Sequence, residues 1–322
     1  MTPALQLEIL DLRHFSAASL RPLLEAESQL WSERLEWDYR ASANLLLQYL
    51  DSRLLPGYVA IENGRITGYV FCVYEDHKAV IGDVFAVKQP NSETTAAEIE
   101  IRLLENLIEL LQNSPGLNRI ESQLLLHPHG VHSDVFRSAG FEIYRRLYMR
   151  RNMFQENAFQ KTPLLPHGIL MRDWRDEDFN AAAHLISEAY TGQLDSHIND
   201  QYRSVAGSLR FLHNIVRFPG CGFFDASASR VLVAAGGQLV GMLLCSRVRE
   251  DVAHITQLCV AQAYRNQGFG GMLLESCAAG LSLRNFRAMT LTVTEANASA
   301  VSLYHRLGFE ASHSFDAMLW EG

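Results

Sequence analysis

The chain repeats itself once, at a spacing too long for any solenoid. Gly64, Gly68 and Cys72 return 173 positions later as Gly237, Gly241 and Cys245, and Val87 returns as Val260. The endings agree too: Arg137-Ser138-Ala139-Gly140-Phe141-Glu142 resembles Arg306-Leu307-Gly308-Phe309-Glu310. A period of that size means two copies of one domain rather than an array of small units. A chain of 322 residues is long enough to give each copy its own core. The expected division is residues 1–160 and 161–322, with Pro163 and Pro166 in the stretch 155–167 marking the linker.

Element order supports the repeat. The first copy opens with a strand over 7–12 and a helical stretch over 20–37. Strand-like runs at 58–61 and 66–74 flank Asn63-Gly64, a two-residue hairpin signal, and a further strand spans 79–87. Ile99, Leu103, Leu104, Leu107 and Leu111 line one side of a helix predicted over 96–111. A strand over 120–126, a helix near 133–139 and a strand over 141–150 close this copy. The second copy starts with a strand over 169–173 and a helix from about 176 to 190. A hairpin follows, 231–234 with 239–247, around Gly236-Gly237. The stretch 192–220 is read mostly as solvated loop; its Asp195, His197, Asn199, Asp200 and Tyr202 are candidate substrate contacts.

The richest local signal lies in the second copy. A strand-like run, Ile255 to Val260, leads into Val260-Ala261-Gln262-Ala263-Tyr264-Arg265-Asn266-Gln267-Gly268-Phe269-Gly270-Gly271, and then into a helix with Met272, Leu273, Leu274 and Cys277 on its apolar face. Strand, glycine-rich turn and helix in that order make an anion site. Glycines let a ligand approach the backbone, and the first N–H groups of a helix have no partner within it. Those donors and the positive end of the helix dipole suit a phosphate. Arg265 adds a charge able to hold two phosphate oxygens. The first copy has Lys88-Gln89-Pro90-Asn91-Ser92-Glu93 instead, without the arginine or the glycines, and the Glu93 carboxylate would repel an anion.

A second segment, Leu291 to Glu310, reads as a strand, a helix capped by Asn297, and a glycine stop. Together, R-x-x-G-x-G at 265–270 and the N…A…LY…GF stretch ending at Phe309 closely resemble the acetyl-CoA-binding core of the GNAT superfamily of N-acetyltransferases. The resemblance is specific over residues 230–322 and looser elsewhere. It implies an α/β fold: tandem GNAT-like domains, each a central twisted mixed β-sheet flanked by helices, the first a degenerate copy kept for structure, dimerisation or shaping the acceptor site.

The resemblance also implies a site, with acetyl-CoA or CoA as cofactor. Arg265, Asn266, Gln267, Gly268, Phe269, Gly270 and Gly271 would cradle the pyrophosphate through their backbone. Leu258, Cys259 and Val260 would pair with the pantetheine arm and polarise the thioester. Asn297 would hold the arm or only cap its helix. Tyr304 stands where relatives use a tyrosine as general acid, and a phenol is protonated at neutral pH. A glutamate often serves as base on the central strand, but none lies between Asp251 and Gln257. That strand resembles the one in arylalkylamine N-acetyltransferases, which carry histidines at the places of His254 and Thr256. His254 is therefore the candidate base, although a lone strand histidine also suits a core. Cys259 has no Cys-His-Asn surroundings and reads as a small core residue.

Composition limits the partners. A net charge of −8 argues against a general nucleic-acid binder and is compatible with a cationic amine acceptor, small molecule or peptide. No apolar run approaches the ~20 residues of a membrane helix, and the start lacks a signal-peptide pattern. Five cysteines without metal-ligand spacing read as reduced thiols, no metal site is expected, and the expected compartment is the cytoplasm. A homodimer is compatible with all of this. The expected activity is acetyl transfer to a primary amine by direct attack in a ternary complex. Two alternatives stand beside it: a non-catalytic acyl-CoA-binding regulator, and an acyltransferase with another donor, as in mycothiol-synthase-like tandem proteins.

Overall fold

Two hairpins with short polar turns, one per copy, seed the sheets of two compact units. The computed structural model describes residues 7–90, 92–154 and 165–322. The first unit comprises 1–35, 39–146 and 314–322; the second comprises 36–38 and 147–313. The units therefore do not follow from one cut near residue 160: each takes a segment from the far side of it. Most of the expected linker, 155–164, and Asn91 lie outside the described residues.

In the first unit, β1 (Leu7–Asp11), α1 (Ala17–Leu35) and α2 (Arg40–Asp51) precede β2 (Gly57–Glu62), β3 (Arg65–Glu75) and β4 (Lys78–Ala86). Then come α3 (Ala96–Gln112), β5 (Arg119–Gln123), α4 (Ser133–Ser138) and β6 (Glu142–Asn152). The strands run in the order β1-β2-β3-β4-β5, antiparallel except for the parallel pair β4/β5. The next place is taken by the end of the chain, with Ala317 to Glu321 antiparallel to β5. Ile99, Leu103, Leu104, Leu107 and Leu111 of α3 are wholly buried on this sheet, each worth about 1.5–3 kcal/mol by apolar burial. Sequence periodicity found this face; α2 it did not.

The second unit repeats the plan: β7 (Ile169–Asp173), α5 (Phe179–Ala189), α6 (Leu194–Ile198), α7 (Val205–Arg217), β8 (Phe223–Phe224), β9 (Arg230–Ala234), β10 (Leu239–Arg249) and β11 (Val252–Val260). After these come α8 (Phe269–Ser282), β12 (Ala288–Thr294), α9 (Ala298–Arg306) and the start of β13 (Glu310–Glu321), whose residues from Ser314 on belong to the first unit. The strand order is β12-β11-β10-β9-β7, with β8 beside β10. The stretch 192–220 is not mostly loop: Ser204 accepts a hydrogen bond from the Gly207 N–H and starts a helix of 13 residues. Leu212 and Ile215 on that helix are buried, so its amphipathic period was there to be read.

Two features position the chemistry. In each unit the central parallel pair comes apart partway along. β4 pairs with β5 over Lys78–Ile81, and β11 pairs with β12 over Val252–Ile255. At the same level each central strand bulges, leaving Gly82 and Thr256 as the extra residues against β3 and β10. Beyond the bulge the strand edge carries backbone groups that its former partner no longer takes. The pairing also corrects the repeat by one residue. Gly68 faces Ala86 as Gly241 faces Val260, so Ala86, not Val87, holds the place of Val260.

Candidate functional site

The divergence of β11 from β12 opens a cavity of about 320 Å³ in the second unit. Leu258, Cys259 and Val260 form its strand wall, and the turn with the first residues of α8 forms its floor. Asn297, Ala300, Leu303 and Tyr304, one stripe of α9 at helical spacing, close it. Of the sequence-predicted cradle, Arg265, Asn266, Gly268, Phe269, Gly270 and Gly271 line the cavity. Gln267 does not; its side-chain amide turns back to the Ala263 carbonyl at 3.2 Å.

The turn is built for backbone donors. Gly268 adopts φ +82° and precedes α8 without any side-chain cap. The first turn of α8 therefore opens with N–H groups that nothing in the helix satisfies. At Gly270 a Cβ would stand 3.3 Å from a methyl of Leu303, so a side chain there would push α9 away from the turn. Arg265 sits in the wall differently from a free phosphate clamp. Its Nε donates to the Val260 carbonyl at 3.4 Å and one terminal nitrogen donates to the Ala189 carbonyl. It fastens β11 to α5 and leaves its charge at the cavity.

Beyond the bulge the Leu258 N–H donates to the Gln257 side-chain carbonyl at 2.9 Å, while the Tyr190 hydroxyl donates to that same oxygen at 2.8 Å. Tyr190 stacks on Tyr202, their centroids 4.5 Å apart, and burial pushes its hydroxyl well above the ordinary tyrosine range. Burial likewise pushes the Cys259 thiol up to about 12, which leaves it protonated and a poor nucleophile at neutral pH.

Asn297 both caps and reaches into the site. Its Oδ1 accepts from the Ala300 N–H at 3.3 Å, and its Nδ2 donates to Asp195 at 3.4 Å. The Thr294 hydroxyl donates to the other Asp195 oxygen at 2.7 Å. Asp195 is thereby the one carboxylate among the lining residues. Tyr304 is buried, set edge-on to Phe309 at 5.9 Å, and presents to the cavity from α9.

His254 is elsewhere. It lies on β11 before the strands part, opposite Thr290, and is not among the lining residues. Its Nδ1 stands 2.9 Å from the Thr290 hydroxyl, and its ring packs between Trp37 and Tyr148 at 5.0 and 5.8 Å. Among the other predicted contacts only Asp195 reaches the cavity; His197, Asn199, Asp200 and Tyr202 do not line it. Sequence reasoning missed Tyr190, Gln193, Tyr264 and Arg306 as wall residues. Tyr264 lies inside the glycine-rich motif and Arg306 is two residues past Tyr304, so proximity to the motifs was their signal. Tyr190 and Gln193, at the end of α5, gave none.

Known proteins share this fold. Residues 180–309 match the Acetyltransferase (GNAT) family model. A GCN5-related N-acetyltransferase from Sphaerobacter thermophilus superposes with a TM-score of 0.63 at 16% identity, covering 98% of this chain and 95% of its own. A tandem GNAT protein from the clavulanic acid biosynthesis pathway gives 0.61 at 15% identity, with 98% of both chains covered. The glucosamine N-acetyltransferase region of a fungal multi-domain GH3 β-N-acetylglucosaminidase gives 0.66 at 14% identity, over 99% of this chain and 38% of that one. No helix among the described residues is long and apolar enough to cross a membrane. Residues 180–309 thus match the GNAT acetyltransferase family, a family of acyl-CoA-dependent acyltransferases, within a chain that shares its fold with a tandem GNAT protein.

Proposed function

We propose that the second unit binds acetyl-CoA and transfers its acetyl group to a primary amine by direct attack in a ternary complex. One observation carries this reading: a splayed strand edge and an uncapped helix start face the same cavity. The pyrophosphate takes the N–H groups at Gly268 to Gly271, and the pantetheine arm lies along Leu258 to Val260 as an added strand. On binding, the Leu258 N–H turns from the Gln257 side-chain carbonyl to the thioester carbonyl and polarises it as negative charge develops on its oxygen. The amine nitrogen attacks the carbonyl carbon, the C–S bond breaks, and the Tyr304 hydroxyl supplies a proton to the departing thiolate.

The amine must first lose a proton. Asp195 attracts the ammonium form into the cavity. His254, off the cavity wall, serves as the final proton acceptor in this reading only through an intervening chain of water or hydroxyl groups. The pH–rate profile of His254→Ala decides that role: an unaltered limb removes it.

Calorimetry with CoA tests the site. Arg265→Glu and Gly268→Asp are each expected to abolish binding while circular dichroism stays native, and unchanged binding in both refutes the site. The lack of a glutamate on β11 favours a second reading, a non-catalytic acyl-CoA sensor. Tight CoA binding with no turnover across a broad amine panel would establish it. A screen with longer acyl-CoAs separates acetyl from other donors.

A further inference from the structure

The corresponding corner of the first unit is filled by polar side chains rather than opened to a ligand. There Val84 to Ala86 hold the places of Leu258 to Val260, and the loop after β5 and the start of α4 hold the place of Asn297 and the start of α9. Three side chains converge on one point: Glu100 from α3, His127 from the loop, and His132 at the N-cap of α4. All three are buried, at 6, 8 and 4% exposure. His132 Nε2 stands 3.2 Å from Glu100 Oε2 and 3.3 Å from His127 Nδ1, and His127 Nδ1 stands 3.8 Å from the same carboxylate oxygen.

The protonation of His127 can be read from its other nitrogen. Nε2 lies 2.7 Å from the Val84 carbonyl, which only accepts, so Nε2 carries the hydrogen and Nδ1 presents its lone pair to the other two atoms. A backbone carbonyl on the far nitrogen is the usual way a metal-binding imidazole is held in its tautomer and orientation. Glu100 is oriented in the same manner, its Oε1 accepting from the Ala86 N–H at 3.1 Å. Its carboxylate has no lysine or arginine partner among the described residues and faces the two imidazoles. A buried carboxylate so placed suits a compensating cation.

We propose that Glu100, His127 and His132 form a binding site for a divalent transition-metal ion of the zinc class. Zinc takes nitrogen at about 2.0–2.1 Å and carboxylate oxygen at about 2.0–2.2 Å in tetrahedral geometry, which sets its ligand atoms roughly 3.3–3.5 Å apart. The three atoms stand at nearly those separations. Two imidazoles and one carboxylate select zinc or cobalt over calcium or magnesium, which prefer all-oxygen shells. The fourth position belongs to a water. The ion joins α3, the loop after β5 and the start of α4 at the corner where the second unit holds its cavity, so the first unit has exchanged an anion site for a cation site.

The test uses the full chain after EDTA treatment and desalting. Cobalt(II), titrated as a spectroscopic probe, is expected to bind one equivalent with the strong visible bands of a tetrahedral ion, and equimolar zinc to displace it. His127→Gln and His132→Gln should each weaken cobalt binding more than about tenfold, whereas His14→Gln, on an exposed turn, should leave it unchanged. Should either variant misfold, proton NMR of the unmutated cobalt protein reads the site directly. A hyperfine-shifted, exchange-protected imidazole N–H from His127 is expected. Absence of the tetrahedral bands, or of any such shifted proton, would overturn the proposal and leave the three side chains as a hydrogen-bonded core cluster.

Discussion

The two corners differ most at the start of their helices. In the second unit α8 begins after Gly268 with no side-chain cap, and its first donors face the cavity. In the first unit α3 begins with a capping box. The Thr95 hydroxyl accepts from the Glu98 N–H at 3.2 Å, and the Glu98 carboxylate accepts from the Thr95 N–H at 2.7 Å. The charge an anionic ligand would bring is already there, supplied by the chain. The strand edges differ less. In both units side chains take part of the edge: His127 meets the Val84 carbonyl as Tyr190 meets that of Leu258, and Asp83 meets the Val84 N–H as Gln257 meets that of Leu258. The difference is that Glu100 also takes the Ala86 N–H, whereas its counterpart Val260 lines a cavity. One fold thus yields a receptor or a sealed core, depending on whether the chain caps its own helix start and fills the corner beside it.

The largest effect that can break this contrast is at Gly268. Gly268→Asp places a carboxylate at the helix start and forces a side chain onto φ +82°, so CoA affinity should fall by more than about a hundredfold in calorimetry. Glu100→Gln in the sealed corner should leave CoA affinity unchanged; a comparable loss there would mean that the first unit, not the second, holds the nucleotide. Next in size is Tyr304→Phe, which keeps the packing against Phe309 and removes the proton donor. Steady-state kinetics should show kcat lowered by about 10²–10⁴ with CoA affinity retained, the usual span for one acid–base group.

Leu273→Ala is a smaller, purely structural change. The side chain is wholly buried under Gly241, and the substitution should cost about 2–5 kcal/mol in denaturant unfolding. The smallest effect concerns the capping box. The hydrogen bonds from the Thr95 N–H and hydroxyl hold the Glu98 carboxyl below its ordinary value. A depressed carboxyl contributes stability that is present above its unfolded value and is lost as pH falls through its folded value. Melting temperature should therefore decline slightly as the pH drops below the ordinary carboxylate range. Glu98→Gln should flatten that part of the curve; an unchanged slope would show that the box does not matter to stability.

Much of this was legible before any coordinates. The apolar faces of α3 and α8, the two hairpin turns and the glycine-rich floor all obey local rules of period, turn chemistry and helix termini. The repeat could be seen but was misread by one residue, because β10 carries an extra residue at Val248, a bulge that β3 lacks, just before the chain turns into β11. The carboxylate that seals the first helix was sought at Glu93, yet α3 starts at Ala96 and Glu98 does the sealing. His254 was reached through likeness of its strand, but strand parity says only which face a residue shares. Whether the strand has parted from its neighbour at that level is decided by packing further along.

The sequence by itself determined two copies of a mixed α/β domain and the loop in the second able to take a phosphate, since glycine, helix start and strand spacing act within a few residues of each other. Only the tertiary structure decided that residues 314–322 complete the first unit, that Arg265 is spent on carbonyls, and that Glu100, His127 and His132 meet. Those outcomes depend on groups far apart along the chain, whose meeting is set by strand pairing and burial rather than by any local preference.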